Sequence, residues 1–285
     1  MTIRQATTAL GTFYYVAEDF YIAGVLDQGV AWERQLLEFV RHLLPLHCPC
    51  NVIDVGAHVG THAIPYARWM RGRGRVYAFE PQPMMVALLR RNLETNGCIA
   101  DVEIFEAAAG HQDGVEVSLE NIIRDGPNAG VAFAYQDGTQ FNYGGLQLGL
   151  GGVRVQMRTL DSFHFDNVGL LKTDAEGADA LVLWGARELI RRWRPLILFE
   201  RNEKSITESM REAMPIPDEV LAFRIEDYAS SLGYLPPVDV GSSQFLLRPE
   251  GGHLTQRSSP LRPAHSPHLS ALATTAEKPI SAIGL

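Results

Sequence analysis

The stretch NVIDVGAHVGTHA at 51–63 constrains the fold of this chain more than any other. An apolar β-like run leads into two glycines four apart, Gly56 and Gly60, and then into helix-forming sequence. A strand followed by a glycine turn and a helix buries itself best beside a parallel neighbour reached through that helix. The same alternation continues downstream, with strands at 51–55, 75–80, 102–108, 169–174 and 195–200 and helices at 60–71, 82–96 and 178–193. The expected fold is α/β: a doubly wound, mostly parallel sheet with helices on both faces.

Apolar spacing supports the helices. Val182, Ala186, Leu189 and Trp193 recur at helical intervals, and Pro195 prevents continuation. A further helix at 217–232 carries Leu221, Ile225, Tyr228 and Leu232 on one face, and SQFLLRP at 243–249 reads as a final edge strand. Residues 1–50 are expected to form a helical covering segment, with one amphipathic helix at 29–44 marked by Trp32, Leu36, Phe39 and Leu43. The main domain then spans 51–249. Within it, 120–152 holds eight glycines together with Phe133, Tyr135, Phe141 and Tyr143, far longer than the usual connection of about 4–6 residues. Such an insert suits a lid or a substrate-shaping wall. From 250 to 285 the chain is rich in Ser, Pro, Ala and Thr without periodicity, the pattern of a disordered tail.

The glycine turn limits the ligand. Dinucleotide folds place GxGxxG here, so that backbone approaches a pyrophosphate at a helix N-terminus. This chain has Asp-x-Gly-x-x-x-Gly instead, with Asp54 ending the strand. A carboxylate suits an ammonium or a sulfonium better than a pyrophosphate. Glu80 ends the next strand, VYAFE, 20 residues after Gly60, where it can accept hydrogen bonds from both ribose hydroxyls. The third strand, VEIFEAA, brings Glu106 towards an adenine amino group, with Ala107 supplying backbone. A nucleoside with a free amino acid, a sulfonium and no phosphate fits these acids together: S-adenosyl-L-methionine. Asp54, Gly56, Ala57, His58, Gly60, Thr61, Glu80, Glu106 and Ala107 are therefore the candidate cofactor-binding residues.

A formal charge of −8 argues against a nucleic-acid partner. The basic runs RRNL at 90–93 and RRWR at 191–194 fall in helices and read as solvated faces. Cys48, Cys50 and Cys98 form neither a CxxC pair nor an even disulfide set, which points to a reducing, cytoplasmic setting. No apolar run approaches the ~20 residues of a membrane span. His58 and His62 stand at i and i+4, a spacing a metal could share, but no HExxH glutamate accompanies them and no metal is expected.

IDVGAHVG, VYAFEPQP, TLD at 159–161, LLKTDAEGAD and RPLILFE, in this order and spacing, resemble the FkbM family of class I methyltransferases over 51–200. The resemblance implies a seven-stranded Rossmann-like methyltransferase fold and an S-adenosylmethionine cofactor. It also implies an acceptor such as a hydroxyl on a sugar or secondary metabolite, with some members methylating peptide nitrogen. One departure is His58, where the family usually has Asn. Ligands of open α/β sheets bind at the carboxyl ends of the strands. Asp174, Glu176 and Glu200 stand there and are the candidate catalytic carboxylates, Asp174 or Glu200 acting as base or orienting the acceptor. Alternation places Lys172 and Asp174 on one face, ready to pair, while Glu176 or Asp174 could instead cap the helix beginning near Ala178. A nicotinamide-dependent oxidoreductase and a non-catalytic cofactor-binding module are the competing readings. Acceptor identity, nitrogen against oxygen transfer and oligomeric state are not written in the sequence.

Overall fold

The computed structural model describes residues 1–44, 49–120, 142–201, 206–241 and 243–250. The centre of the insert and the tail from 251 onward lie outside these residues, as does Cys48. The chain begins with strands β1 (Ile3–Thr8) and β2 (Gly11–Val16) and helices α1 (Phe20–Leu26) and α2 (Arg34–Leu43). The βα alternation follows: β3 (Asn51–Val55), α3 (Ala63–Met70), β4 (Val76–Phe79), α4 (Pro83–Thr95) and β5 (Val102–Phe105). Next come β6 (Ala108–Ala109), β7 (Val115–Glu120), β8 (Gly151–Arg158) and β9 (Val168–Thr173). Helices α5 (Asp179–Trp184) and α6 (Arg187–Trp193) then lead to β10 (Leu196–Glu200). The last elements are α7 (Glu208–Ala213), α8 (Asp218–Leu221), α9 (Ile225–Ser231), β11 (Val238–Gly241) and β12 (Gln244–Leu247).

The large sheet has the order β11-β12-β10-β9-β3-β4-β5. Strands β5, β4, β3, β9 and β10 run parallel, and β12 lies antiparallel between β10 and β11. The fold is α/β with a mostly parallel sheet. Strand alternation divides its core in two. On one face Val52, Leu170 and Leu198 pack with Ile64, Ala67, Leu89 and Leu93 of α3 and α4. On the other, Ile53, Leu171 and Ile197 pack with Val182, Leu189, Ile190 and Ile225. Such near-continuous apolar strands are what burial on both faces requires.

Several expectations need correction. Residues 1–50 are not a purely helical cover: β1 and β2 form an antiparallel hairpin, and α2 starts at Arg34 rather than near 29. The residues α2 buries are Leu36, Leu37 and Val40. The strand at 102–108 stops at Phe105, and Ala108–Ala109 joins a separate sheet ordered β6-β8-β7. The segment at 243–249 is no edge strand, since β12 is enclosed by β10 and β11. The single helix at 178–193 is broken at Gly185, where an added Cβ would lie 2.0 Å from the Gly110 carbonyl oxygen. There the Asp161 carboxylate accepts the Glu188 and Leu189 amides at 3.0 and 2.8 Å and caps α6. The Asp of TLD is thus a helix cap. The helix at 217–232 also divides, into α8 and α9.

The hairpin is held to α4 by side-chain amides. Asn92 Oδ1 accepts the Tyr14 amide at 2.6 Å, and Asn92 Nδ2 donates to the Tyr14 carbonyl at 2.9 Å and to the Val59 carbonyl at 2.8 Å. Asn96 repeats the pairing with the backbone of Thr12, one helical turn on. Two asparagines thus complete the free edge of β2 as a neighbouring strand would. Asn92→Leu removes three hydrogen bonds at a fully buried position and is expected to lower stability by about 2 kcal/mol. An unchanged urea midpoint would contradict that role. Among the described residues no helix is long and apolar enough to cross a membrane.

Candidate active site

The turn after β3 folds by spending its own amides. Gly56 has φ +74°, and an added Cβ would stand 1.9 Å from the Asp174 carbonyl oxygen, so the ends of β3 and β9 are in contact. The Gly56 and Ala57 amides both donate to the Phe79 carbonyl at 3.0 Å, and the Gly60 amide donates to Ala57 at 2.8 Å. His58, with φ +49°, donates its amide to Glu80 Oε2 at 2.8 Å. Glu80 Oε1 accepts the Gln82 amide at 2.9 Å. Glu80 is buried, and desolvation pushes its pKa up to about 7 against the pull of these two amides. Each carboxylate oxygen keeps a further lone pair.

Lys172 bridges the strand ends on the α3 face. Its ammonium lies 3.2 Å from Asp54 Oδ1 and 3.8 Å from Asp174 Oδ2, and donates to the carbonyls of Val55 and Gly56 at 3.2 Å. The register Asp54↔Lys172 across β3 and β9 puts both side chains on one face. Burial alone would lower the Lys172 pKa, but Asp54, Asp174 and Glu33 outweigh it and hold the pKa above its usual value.

Carboxylates crowd beyond the lysine. Asp174, one residue past β9, has its pKa raised first by burial, with Glu33 and Asp54 adding to it against the pull of Lys172. Burial, then the charges of Asp174 and Glu200, push Glu176 up to about 9. Burial, then Asp174 and Asp179, push Glu200 up to about 8. Asp179 reaches about 7, although it accepts the Thr173 hydroxyl at 2.9 Å and the Ala175 amide at 3.3 Å. Ala178 stands at the N-cap of α5, so neither Glu176 nor Asp174 occupies that position. Instead, Asp179 in the first turn of α5 ties that turn to β9.

The cleft beside these strand ends is lined by Gly56, Glu80, Ala107, Asp174 and Glu176, with Leu148 from the returning end of the insert. Residues 54–235 match the methyltransferase FkbM domain. The chain belongs to the FkbM methyltransferase family. Among solved structures, the FkbM methyltransferase from Methylobacillus flagellatus is 16% identical at a TM-score of 0.42 over 70% of this chain. This chain spans 43% of the length of that structure. A Bacillus cereus O-methyltransferase in complex with SAH is 13% identical, TM-score 0.40, covering 76% of this chain and 80% of that one. A SAM-dependent methyltransferase from Aquifex aeolicus is 14% identical, TM-score 0.35, covering 74% and 87%. No curated protein matches.

Within this FkbM domain the expected site residues divide. Gly56, Glu80, Ala107, Asp174 and Glu176 meet at the cleft. Asp54 is fully buried behind it and serves Lys172. Ala57, Gly60 and Thr61 are buried in the turn. Glu106 is exposed and borders a neighbouring depression with Phe105, Arg158 and Phe163. His58 and His62 each face a carboxylate of the N-terminal segment: His58 Nε2 lies 3.8 Å from Asp19, and His62 Nε2 lies 3.1 Å from Glu33. Among the described residues no group of three or more His, Cys, Asp or Glu could hold a metal. Sequence reasoning did not find Asp19, Glu33 or Asp179, because their partners are distant in the chain or lack a motif. Gln82 was missed too; its side chain donates to the Tyr143 carbonyl at 2.9 Å and ties the end of the insert to the cleft.

The raised acids fix the pH response of the unliganded FkbM domain. Glu80, Asp179, Glu200 and Glu176 contribute stability that is present below their ordinary pKa and is lost as pH rises through about 7 to 9. His58, lowered from 6.5 to about 4 first by burial and then by Lys172, acts oppositely and loses its contribution as pH falls through that window. The unfolding free energy is therefore expected to decline from pH 6.5 towards pH 9. Urea titrations giving a flat or rising curve over that interval would contradict these assignments.

Proposed function

We propose that this FkbM protein is an S-adenosylmethionine-dependent methyltransferase that methylates a hydroxyl of a sugar or secondary metabolite. The observation that carries the cofactor is the spent turn. The amides of residues 56, 57, 58 and 60, which a pyrophosphate would need, are all hydrogen-bonded within the protein. A nicotinamide dinucleotide therefore has no cradle here. Glu80 remains at the cleft with acceptor lone pairs, suited to both ribose hydroxyls of a nucleoside without phosphates. The carboxylates at the strand ends suit the positive charge such a nucleoside carries, and buried Glu200 Oε2 has no partner. These residues fit the cofactor.

When bound, S-adenosylmethionine supplies an activated methyl group. The chain's own residues do the rest. Glu80 would hold the ribose, and Ala107 would line the adenine side. Asp174, partly exposed beside the cleft, would accept the proton that the acceptor hydroxyl gives up on methylation. Its raised pKa brings it closer to the working pH of a general base. Lys172 holds its orientation. Glu200 and Glu176 orient the acceptor, and the apolar end of the insert at Leu146 and Leu148 excludes water.

Asp174→Asn is expected to lower kcat by about 10²–10⁴-fold with little change in cofactor affinity. Full turnover in both Asp174→Asn and Glu200→Gln would overturn these roles. Transfer of labelled methyl from the cofactor to a panel of polyols and peptides tests the acceptor. Product carrying the methyl on oxygen supports the proposal, and label confined to peptide nitrogen would replace it with the alternative reading.

A further inference from the structure

The row of polar side chains on the α3 face of the sheet continues past Glu200. In the antiparallel register of β10 and β12, Glu200 lies directly opposite Gln244. Directly opposed residues share a face and stand about 4.5–5.5 Å apart at Cβ. The apolar pair Leu198 and Leu246, two residues down the same strands, confirms the face, since both belong to the core under α3 and α4. Gln244 is only 2% exposed, and its amide oxygen has no hydrogen-bond partner. Glu200 Oε2, from the opposed residue on the same face, is buried and equally unpartnered. Two desolvated polar groups left unpaired among the described residues are a costly arrangement, and a natural protein keeps one where a ligand supplies the missing N–H groups.

The surrounding charge says which ligand. Beyond burial, Asp174 and Asp179 raise the pKa of the Glu200 carboxyl, and Asp174, Glu200 and Asp179 raise that of Glu176, while Asp174 shares the face of Lys172 at 3.8 Å. Lys172 is already engaged by Asp54 and two carbonyls. Arg201, next in sequence to Glu200, turns away to Glu226 and the Phe245 ring. A hydroxyl could satisfy one acceptor but brings no counter-charge to let these crowded carboxyls ionise. An ammonium provides three donors and the positive charge together.

We infer that Glu200 and Gln244 form a subsite for a protonated amine on the methyl acceptor, which is therefore an amino-bearing alcohol rather than a neutral polyol. The inference rests on the methyltransferase reading and adds to it the acceptor's charge. The ammonium anchors the acceptor at Glu200 and Gln244, and a hydroxyl elsewhere on the same molecule reaches Asp174 and the cleft.

The test uses matched hydroxyl acceptors that differ only in a free amine or its acetamide, glucosamine against N-acetylglucosamine and corresponding aminocyclitols, with labelled S-adenosylmethionine. Wild type, Glu200→Gln and Gln244→Leu are compared. Wild type is expected to prefer the free amines by roughly 10- to 100-fold in kcat/KM, the difference lying in KM, and both variants are expected to lose most of that preference. S-adenosylhomocysteine affinity, measured in parallel, reports that each variant is folded. Equal use of amine and acetamide, methylation of no amine in the panel, or an undiminished preference in both variants would overturn the inference while leaving cofactor binding intact. Failure of the wild type to bind S-adenosylhomocysteine would instead bring down the methyltransferase reading itself.

Discussion

Replacing Lys172 by methionine is expected to cost this fold about 3–5 kcal/mol, the penalty for stranding a buried charge. Asp54 is fully buried, and its carboxylate has the Lys172 ammonium as its counter-charge at 3.2 Å. Methionine keeps most of the stem volume and removes the charged head group, so a packing defect would not explain the loss. The Val55 and Gly56 carbonyls would also lose a donor. The double variant Asp54→Asn with Lys172→Met is expected to recover much of the stability, because the stranded charge is then gone. Chemical denaturation of the three variants decides the matter. A Lys172→Met protein within about 1 kcal/mol of wild type, a common size for an ordinary substitution, would mean that Asp54 and Lys172 are not the pair described.

The second large effect falls on ligand binding rather than folding. Glu80→Ala is expected to weaken S-adenosylhomocysteine binding about 30- to 150-fold, the loss of two hydrogen bonds to a charged acceptor, or about 2–3 kcal/mol. Glu80 also holds the amides of His58 and Gln82, so part of the loss could come from the turn. The 2′-deoxy analogue separates the two. Wild type should discriminate against it, and the variant should bind it nearly as well as the parent nucleoside. Equal discrimination in both proteins would remove Glu80 from the ribose.

The legible and illegible parts of this chain divide along physical lines. Periodicity located β3, β4, β9 and β10 to within a residue or two, because strands buried on both faces must be apolar throughout. Asp54 and Glu80 stood out because a carboxylate ending such a run has to have a partner. Asp54 turned out to answer Lys172 inside the protein, a pairing across two strands separated by more than a hundred residues. The pair foreseen, Lys172 with Asp174, exists at the longer distance of 3.8 Å. The N-terminal hairpin was invisible because its strands alternate weakly and its edge is satisfied by Asn92 and Asn96, far along the chain. The helix break at Gly185, where the chain closes on Gly110, carried only the weak local signal of a single glycine. Gln244 went unnoticed because its strand was read as an edge. Once β12 lies inside the sheet, the same glutamine becomes a buried polar group beside Glu200.

On the reading proposed above, the turn after β3 serves a phosphate-free sulfonium nucleoside. Calorimetric titration of the protein with S-adenosylmethionine, S-adenosylhomocysteine and NAD in parallel separates that ligand from a dinucleotide. Saturable heat from both sulfur nucleosides and none from NAD is the predicted result. Heat from NAD alone would contradict it, since the amides of residues 56, 57 and 58 would then have to leave Phe79 and Glu80 for a pyrophosphate.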